Sequence, residues 1–194
     1  MRAMSVMTRS GARMCSEVND MRMETQRLLL REYTMEDFDD LREILSDPQT
    51  MRYYPRPYDD DGVRKWLRWS MENYRTFGFG LWALVLKENG KMIGDCGVTM
   101  QTINGKIRPE IGYHINRAYQ GRGYATEAAR RCKDFVFENT PFNAVYSYMN
   151  AANVASYTVA MKNGMRLVEE YDDPEDGALK VYAITRDEWE RKNV

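Results

Sequence analysis

The sequence predicts an α/β (α+β) domain in which one mixed central sheet is flanked by helices. Three observations carry that expectation. Strand-like and helix-like runs alternate along nearly the whole chain. Three strand runs, at 81–86, 92–100 and 110–115, follow one another across the turn signals Asn89-Gly90 and Asn104-Gly105, as an antiparallel meander does. The last of them leads through a polar, glycine-containing turn straight into a helical run over 125–139.

Composition narrows the function classes. The 194 residues suffice for one domain with a real core. The net charge of -1 gives no global case for nucleic acid or an anionic membrane as partner. No apolar run approaches the roughly 18 residues of a transmembrane helix. Cys15, Cys96 and Cys132 are scattered, which suits neither a disulfide framework nor a zinc site. With His114 as the one histidine, the sequence argues against a His-based metal centre or a Ser-His-Asp triad, and no metal is expected. A reducing, cytoplasmic location follows. Residues 1–22 read as a flexible, Met-rich leader without the apolar segment of a signal peptide, and residues 23–194 as a single domain.

Within that domain, 24–32 reads as a first strand, with Leu28 and Leu30 on one side and Leu29 and Arg31 on the other. Thr34 caps a helix bearing Phe38, Leu41, Ile44 and Leu45, with Asp37 as the acid near its start. An irregular aromatic stretch over 52–58 precedes a second helix over 61–75. Tyr53, Tyr54, Trp66, Trp69 and Tyr74 fit either helix packing or the wall of a ligand groove. The meander follows, with Cys96 as a small buried residue inside it. On the strand at 110–115, Glu110, Gly112 and His114 share one face, and Ile111, Tyr113 and Ile115 the other. The helix over 125–139 has a core face of Ala128, Ala129, Cys132, Phe135 and Val136, and Arg130, Arg131 and Lys133 read as its solvated face. After a break at Pro141-Phe142 come a strand over 144–149 and a helix that ends at Asn163-Gly164, with Gly164 as a left-handed cap. Two final strands surround the acidic turn at 172–177, and Thr185 caps a closing helix. The acidic turn either attracts a cationic ligand or is simply solvated.

The turn before the long helix is where chemistry is expected. The first amides of a helix lack internal partners and sit at the positive end of the peptide dipoles, so phosphate is a natural occupant. Gly121 and Gly123 allow backbone to approach such a ligand closely. The turn is no P-loop, since no Gly-Lys-Ser/Thr follows, and it does not meet G-x-G-x-x-G.

The string Gln120-x-x-Gly123-x-Ala125 resembles the Q/R-x-x-G-x-G/A loop of the GNAT superfamily of N-acetyltransferases. The longer string from Gly112-Tyr113 through Tyr119-Gln120-Gly121-Arg122-Gly123-Tyr124-Ala125-Thr126-Glu127-Ala128 resembles the RimJ/RimL-like branch, as does the opening Glu24-Thr25-x-Arg27-Leu28-x-Leu30-Arg31. The resemblance covers nearly all of 24–194. It implies the GNAT fold, whose fourth and fifth strands splay to admit acetyl-CoA, and direct acetyl transfer to an amine. The acceptor class is a protein N-terminus or a small-molecule amine, and a homodimer is a candidate assembly. A non-catalytic acyl-CoA-binding protein is the alternative of a different class.

Carried onto this chain, the resemblance implies that Gln120, Gly121, Arg122, Gly123, Tyr124, Ala125 and Thr126 hold the pyrophosphate, chiefly through amides. Backbone at His114 and Ile115 pairs with pantetheine, and Asn153 contacts the same arm, although Asn153 alone also reads as a helix cap. Glu110 is the candidate base, because amine acylation requires loss of an ammonium proton and burial raises a carboxyl pKa. A structural Glu110, and His114 as the base instead, are the competing readings. Many family members carry a tyrosine four residues before the Gly164 position to protonate the thiolate, whereas this chain has Ala160. Ser156 of the N-x-x-S segment is then the candidate acid, with Tyr157 less well placed.

Overall fold

The computed structural model describes residues 22–193. The leader expected over 1–22 therefore lies outside the described residues, except for Arg22, which opens a strand. Eight strands form one sheet, β1 (Arg22–Glu24), β2 (Leu28–Arg31), β3 (Leu81–Leu86), β4 (Met92–Ile103), β5 (Lys106–Ile115), β6 (Ala144–Asn150), β7 (Arg166–Asp173) and β8 (Gly177–Thr185), in the order β1-β2-β3-β4-β5-β6-β8-β7. Every neighbouring pair is antiparallel except β5 and β6, so the sheet is mixed as expected.

The expected first strand is two short ones. The chain turns at residues 25–27, where the Thr25 amide donates to the Leu28 carbonyl, and β1 folds back antiparallel on β2. Leu28 and Leu30 are fully buried on one side, as their alternation requires.

The helices are α1 (Phe38–Leu45), α2 (Asp60–Phe77), α3 (Tyr124–Asn139), α4 (Val154–Lys162) and α5 (Arg186–Asn193). A 3-10 turn, Met35–Asp37, leads into α1, and the Asp37 carboxylate accepts from the Thr34 amide at 2.8 Å. Helices α1 and α2 bury Leu41, Ile44, Leu45, Val63 and Leu67 against Leu81, Ala83 and Val85 of β3. The opposite residues of β3, Trp82, Leu84 and Leu86, join α3 in the second core, where Trp82 meets the Phe135 ring edge-on at 5.2 Å. One strand thus feeds two cores by simple alternation. All five expected core residues of α3 are buried. Lys133 is not on a solvated face: it is buried, and its Nζ donates to the Asn163 carbonyl, capping the last turn of α4.

Candidate active site

The feature that places the site is the junction of β5 and β6. The two strands run parallel and, among the described residues, pair at Glu110 opposite Tyr146 alone, so the ladder does not continue toward the C-terminal end of β5. They correspond to the expected splayed fourth and fifth strands, the count being shifted by the extra strand β1. A cleft of about 570 Å³ opens there. Because its edge is unpaired, β5 presents residues of both faces to the cleft: Glu110, Gly112 and His114 from one, Tyr113 and Ile115 from the other.

At one end of the cleft lies the turn between β5 and α3. Gly121 and Gly123 hold φ of 75° and 83°, the left-handed region that favours glycine. Gly123 is the N-cap of α3, and the first helical amide with a backbone partner there is Glu127, donating to the Gly123 carbonyl at 3.0 Å. Among the described residues, the amides of residues 121–126 have no protein acceptor. Gly121, Gly123, Tyr124, Ala125 and Thr126 line the cleft. This row of donors, with no Cβ at 121 or 123, fits a pyrophosphate. Gln120 lines the cleft as well, but its side chain is structural: Nε2 donates to the Ile115 carbonyl at 2.9 Å and pins the turn to β5. Arg122 does not line the cleft. Its guanidinium lies over the Tyr119 ring, and its carbonyl accepts from Arg27.

Glu110 sits in the middle of the cleft, 8 % exposed. Thr99 Oγ1 donates to its Oε2 at 3.3 Å. Burial, reinforced by the nearby Asp95 charge and opposed by the Thr99 hydrogen bond, pushes its carboxyl up to about 8. The side chain lies over Gly112, where a Cβ would stand 3.1 Å from Oε2.

His114 is a packed histidine with a defined network. Its Nδ1 and its backbone N–H both face Asp95 Oδ1, at 2.8 and 2.9 Å, and Nε2 is 2.7 Å from the Tyr54 hydroxyl. A Cβ added at Gly94 would collide with the His114 carbonyl, so that carbonyl also points at β4. The backbone of His114 itself therefore faces β4 rather than the cleft. In an antiparallel ladder, successive residues turn their amides to opposite sides. The edge-facing backbone belongs to Tyr113 and Ile115.

Asn153 is the N-cap of α4: its Oδ1 accepts from the Ser156 amide at 3.2 Å, leaving Nδ2 as its remaining donor, and the residue lines the cleft. Ser156 Oγ lies 3.0 Å from the Tyr113 hydroxyl, which also donates to the Ser156 carbonyl at 2.7 Å. Burial raises the Tyr113 phenol well above its usual range. Tyr157 stacks on Tyr182 at 6.1 Å, outside the cleft lining, and Ala160 is core.

The other end of the cleft is aromatic. Tyr53, Tyr54, Trp66 and Trp69 line it, so these four form a groove wall, whereas Tyr74 belongs to the packing, with its hydroxyl bonded to the Leu81 carbonyl. Asp176 of the acidic turn stands exposed at the mouth.

A family model described as "Acetyltransferase (GNAT) domain" matches residues 27–166. The chain belongs to the GNAT acetyltransferase family. It is 36% identical to the uncharacterized protein YkkB of Bacillus subtilis over 147 residues, covering 74% of this chain and 84% of the relative. It is 30% identical over 178 residues to the FsC-acetyl coenzyme A-N(2)-transacetylase of Aspergillus fumigatus, covering 83% and 72%. Among solved structures, an acetyltransferase of Agrobacterium tumefaciens superposes with a TM-score of 0.73 at 27% identity, covering 94% of this chain and 99% of that one. The ribosomal L7/L12 α-N-protein acetyltransferase RimL, solved with coenzyme A, shares the fold at TM-score 0.69 and 16% identity, covering 85% and 97%. The GNAT chain is thus an N-acetyltransferase by family, and its eight-stranded mixed sheet is the GNAT fold.

Tyr113 and Asp95 were not singled out from sequence as contributors to the site, and Tyr54, read there as groove wall or helix packing, was not linked to His114. Tyr113 reaches the cleft because the splay opens both faces of β5. Asp95 faces His114 only through the β4–β5 register. Tyr54 meets His114 across 60 residues. Alternation along β5 could have flagged Tyr113; the other two have no local signal.

Proposed function

We propose that the chain transfers an acetyl group from acetyl-CoA to a primary amine, with direct attack of the nitrogen on the thioester. One observation carries this reading: a row of unpartnered amides at the start of α3 and a buried carboxyl, Glu110, share one cleft. Acetyl-CoA would supply the activated acyl group, and residues 121–126 would hold its pyrophosphate. The edge backbone of Tyr113 and Ile115, with Nδ2 of Asn153, would hold the pantetheine arm. Glu110 takes the proton from the acceptor nitrogen. Ser156, a cleft hydroxyl held by Tyr113, would protonate the departing thiolate. A thiolate leaves readily near neutral pH, so Ala160 in place of a tyrosine is no obstacle.

The acceptor reading is a protein N-terminus or a small-molecule amine. The aromatic wall favours an amine carried on an apolar body. Cys96 and Cys132, both buried and free with their sulfurs 3.6 Å apart, suit a reducing compartment such as the cytoplasm.

The test is thiol release from acetyl-CoA with a panel of amines. Below about 8, Glu110 is mostly the neutral acid; above it, the base. The wild-type rate should therefore rise as pH passes through about 8. Above that pH, Glu110→Gln should lower the rate by about 10²–10⁴ and remove the rise. Acetyl-CoA binding with no thiol release for any amine would instead make the chain a non-catalytic acyl-CoA-binding protein.

A further inference from the structure

The hydrogen-bond chain ending at Tyr54 is not used by the steps above. Asp95 is fully buried. Its carboxylate takes three donors: the His114 amide and Nδ1–H at Oδ1, and the Tyr33 hydroxyl at Oδ2, 3.1 Å away. A carboxylate only accepts, so Nδ1 carries the ring proton and Nε2 of the neutral imidazole is an acceptor. The Tyr54 hydroxyl then donates to Nε2, and its oxygen lone pairs are left for whatever occupies the cleft. Trp66 holds the imidazole from the side, edge to face at 5.5 Å, and the Tyr54 ring packs on it at 5.5 Å. Tyr54 itself is 40 % exposed and lines the cleft beside the aromatic wall.

We propose that Asp95, His114 and Tyr54 form a proton relay into the acceptor end of the cleft, with the Tyr54 oxygen contacting the acceptor nitrogen. The reading rests on the acetyl transfer proposed above. The balance is simple. The nitrogen gives a proton to the Tyr54 oxygen as the Tyr54 hydroxyl proton passes to His114 Nε2. Tyr54 ends as it began, and the imidazolium that forms is paired with Asp95. Tyr54 is the group touching substrate; His114 and Asp95 are positioning residues that act through it. The groups facing the imidazole are Asp95 of β4, Tyr54 of the loop after α1 and Trp66 of α2, with Glu110 four residues back on the same face of its strand. The relay takes the proton in the neutral range, where Glu110 is largely protonated, and Glu110 takes it directly above about 8.

The chain has one histidine, so its ring nitrogens give an unambiguous ¹⁵N spectrum. The expected result is protonated Nδ1 and unprotonated Nε2 in the wild type, with only the Nε2 resonance displaced in Tyr54→Phe. That substitution removes one hydroxyl from a partly exposed ring, so the fold should be kept. In thiol-release assays, Tyr54→Phe should lower kcat about tenfold or more near pH 7 and less near pH 9, with KM for acetyl-CoA unchanged. Protonated Nε2 in the wild type would overturn the relay, as would a Tyr54→Phe rate equal to wild type at both pH values. A wild type that turns over no amine overturns acetyl transfer and the relay together, whereas an active wild type matched by Tyr54→Phe overturns the relay alone.

Discussion

Gly112 leaves the room in which the Glu110 carboxyl lies. A methyl group there would stand 3.1 and 3.4 Å from the two Glu110 oxygens, tighter than ordinary contact, and its backbone is not in the left-handed region. Alanine would therefore fold normally yet displace the carboxyl by a fraction of an ångström. Gly112→Ala should lower kcat roughly tenfold to a hundredfold while leaving CoA affinity unchanged, read by steady-state kinetics beside calorimetry. At this scale Glu110 was legible in the sequence, because strand alternation puts it on the face of Gly112 and His114, beside a phosphate-type turn. Its partners were not. Asp95 becomes the neighbour of His114 only once β4 and β5 pair in a given register, and local pattern does not encode long-range register. Asn153 shows the opposite case: cap and cleft residue were treated as alternatives, and one side chain has atoms for both.

Among the elements, the start of α3 depends on a brace from the far edge of the sheet. Glu127, in the first turn, accepts from the Thr25 hydroxyl at 2.6 Å, the Arg27 amide at 2.8 Å and Arg27 Nε at 2.7 Å. Arg27 also donates to the Arg122 carbonyl and lies over the Tyr124 ring at 4.3 Å. Those contacts, with partly buried donors and a charged acceptor, hold Glu127 below the usual carboxylate range despite its desolvation. They also explain why the expected first strand is interrupted: residues 25–27 leave the ladder to reach α3. Glu127→Gln keeps the shape and loses the charge. It should cost about 1–3 kcal/mol in a denaturant titration and weaken CoA binding, because the amides of 121–126 lose their anchor. The strands and helices themselves were largely legible, since amphipathic period and turn residues agree along the chain. Lys133 was misplaced because a helical wheel cannot show that the end of α4 packs over its ammonium.

For the whole molecule, the informative feature is a sheet that stays continuous while opening at one seam. Six antiparallel pairings hold the eight strands together, and the single parallel pairing, β5 with β6, carries the cleft. Helix α3 fills one side of that seam and presents its start to the cleft, and α4 presents Asn153 and Ser156 from the other. Such a seam is hidden from sequence in detail: the strand–turn–helix order announces an anion site, but how far two strands diverge depends on packing from both cores. The central claim is that this seam receives acetyl-CoA through the turn before α3. Calorimetric titration of acetyl-CoA and CoA into the wild type and Gly123→Glu tests it most directly. Glutamate at 123 would place bulk and negative charge on the phosphate end, at a position whose φ of 83° also disfavours any side chain. Micromolar binding by the wild type that is lost in the folded variant is the predicted result. A folded wild type that binds neither ligand would contradict the account.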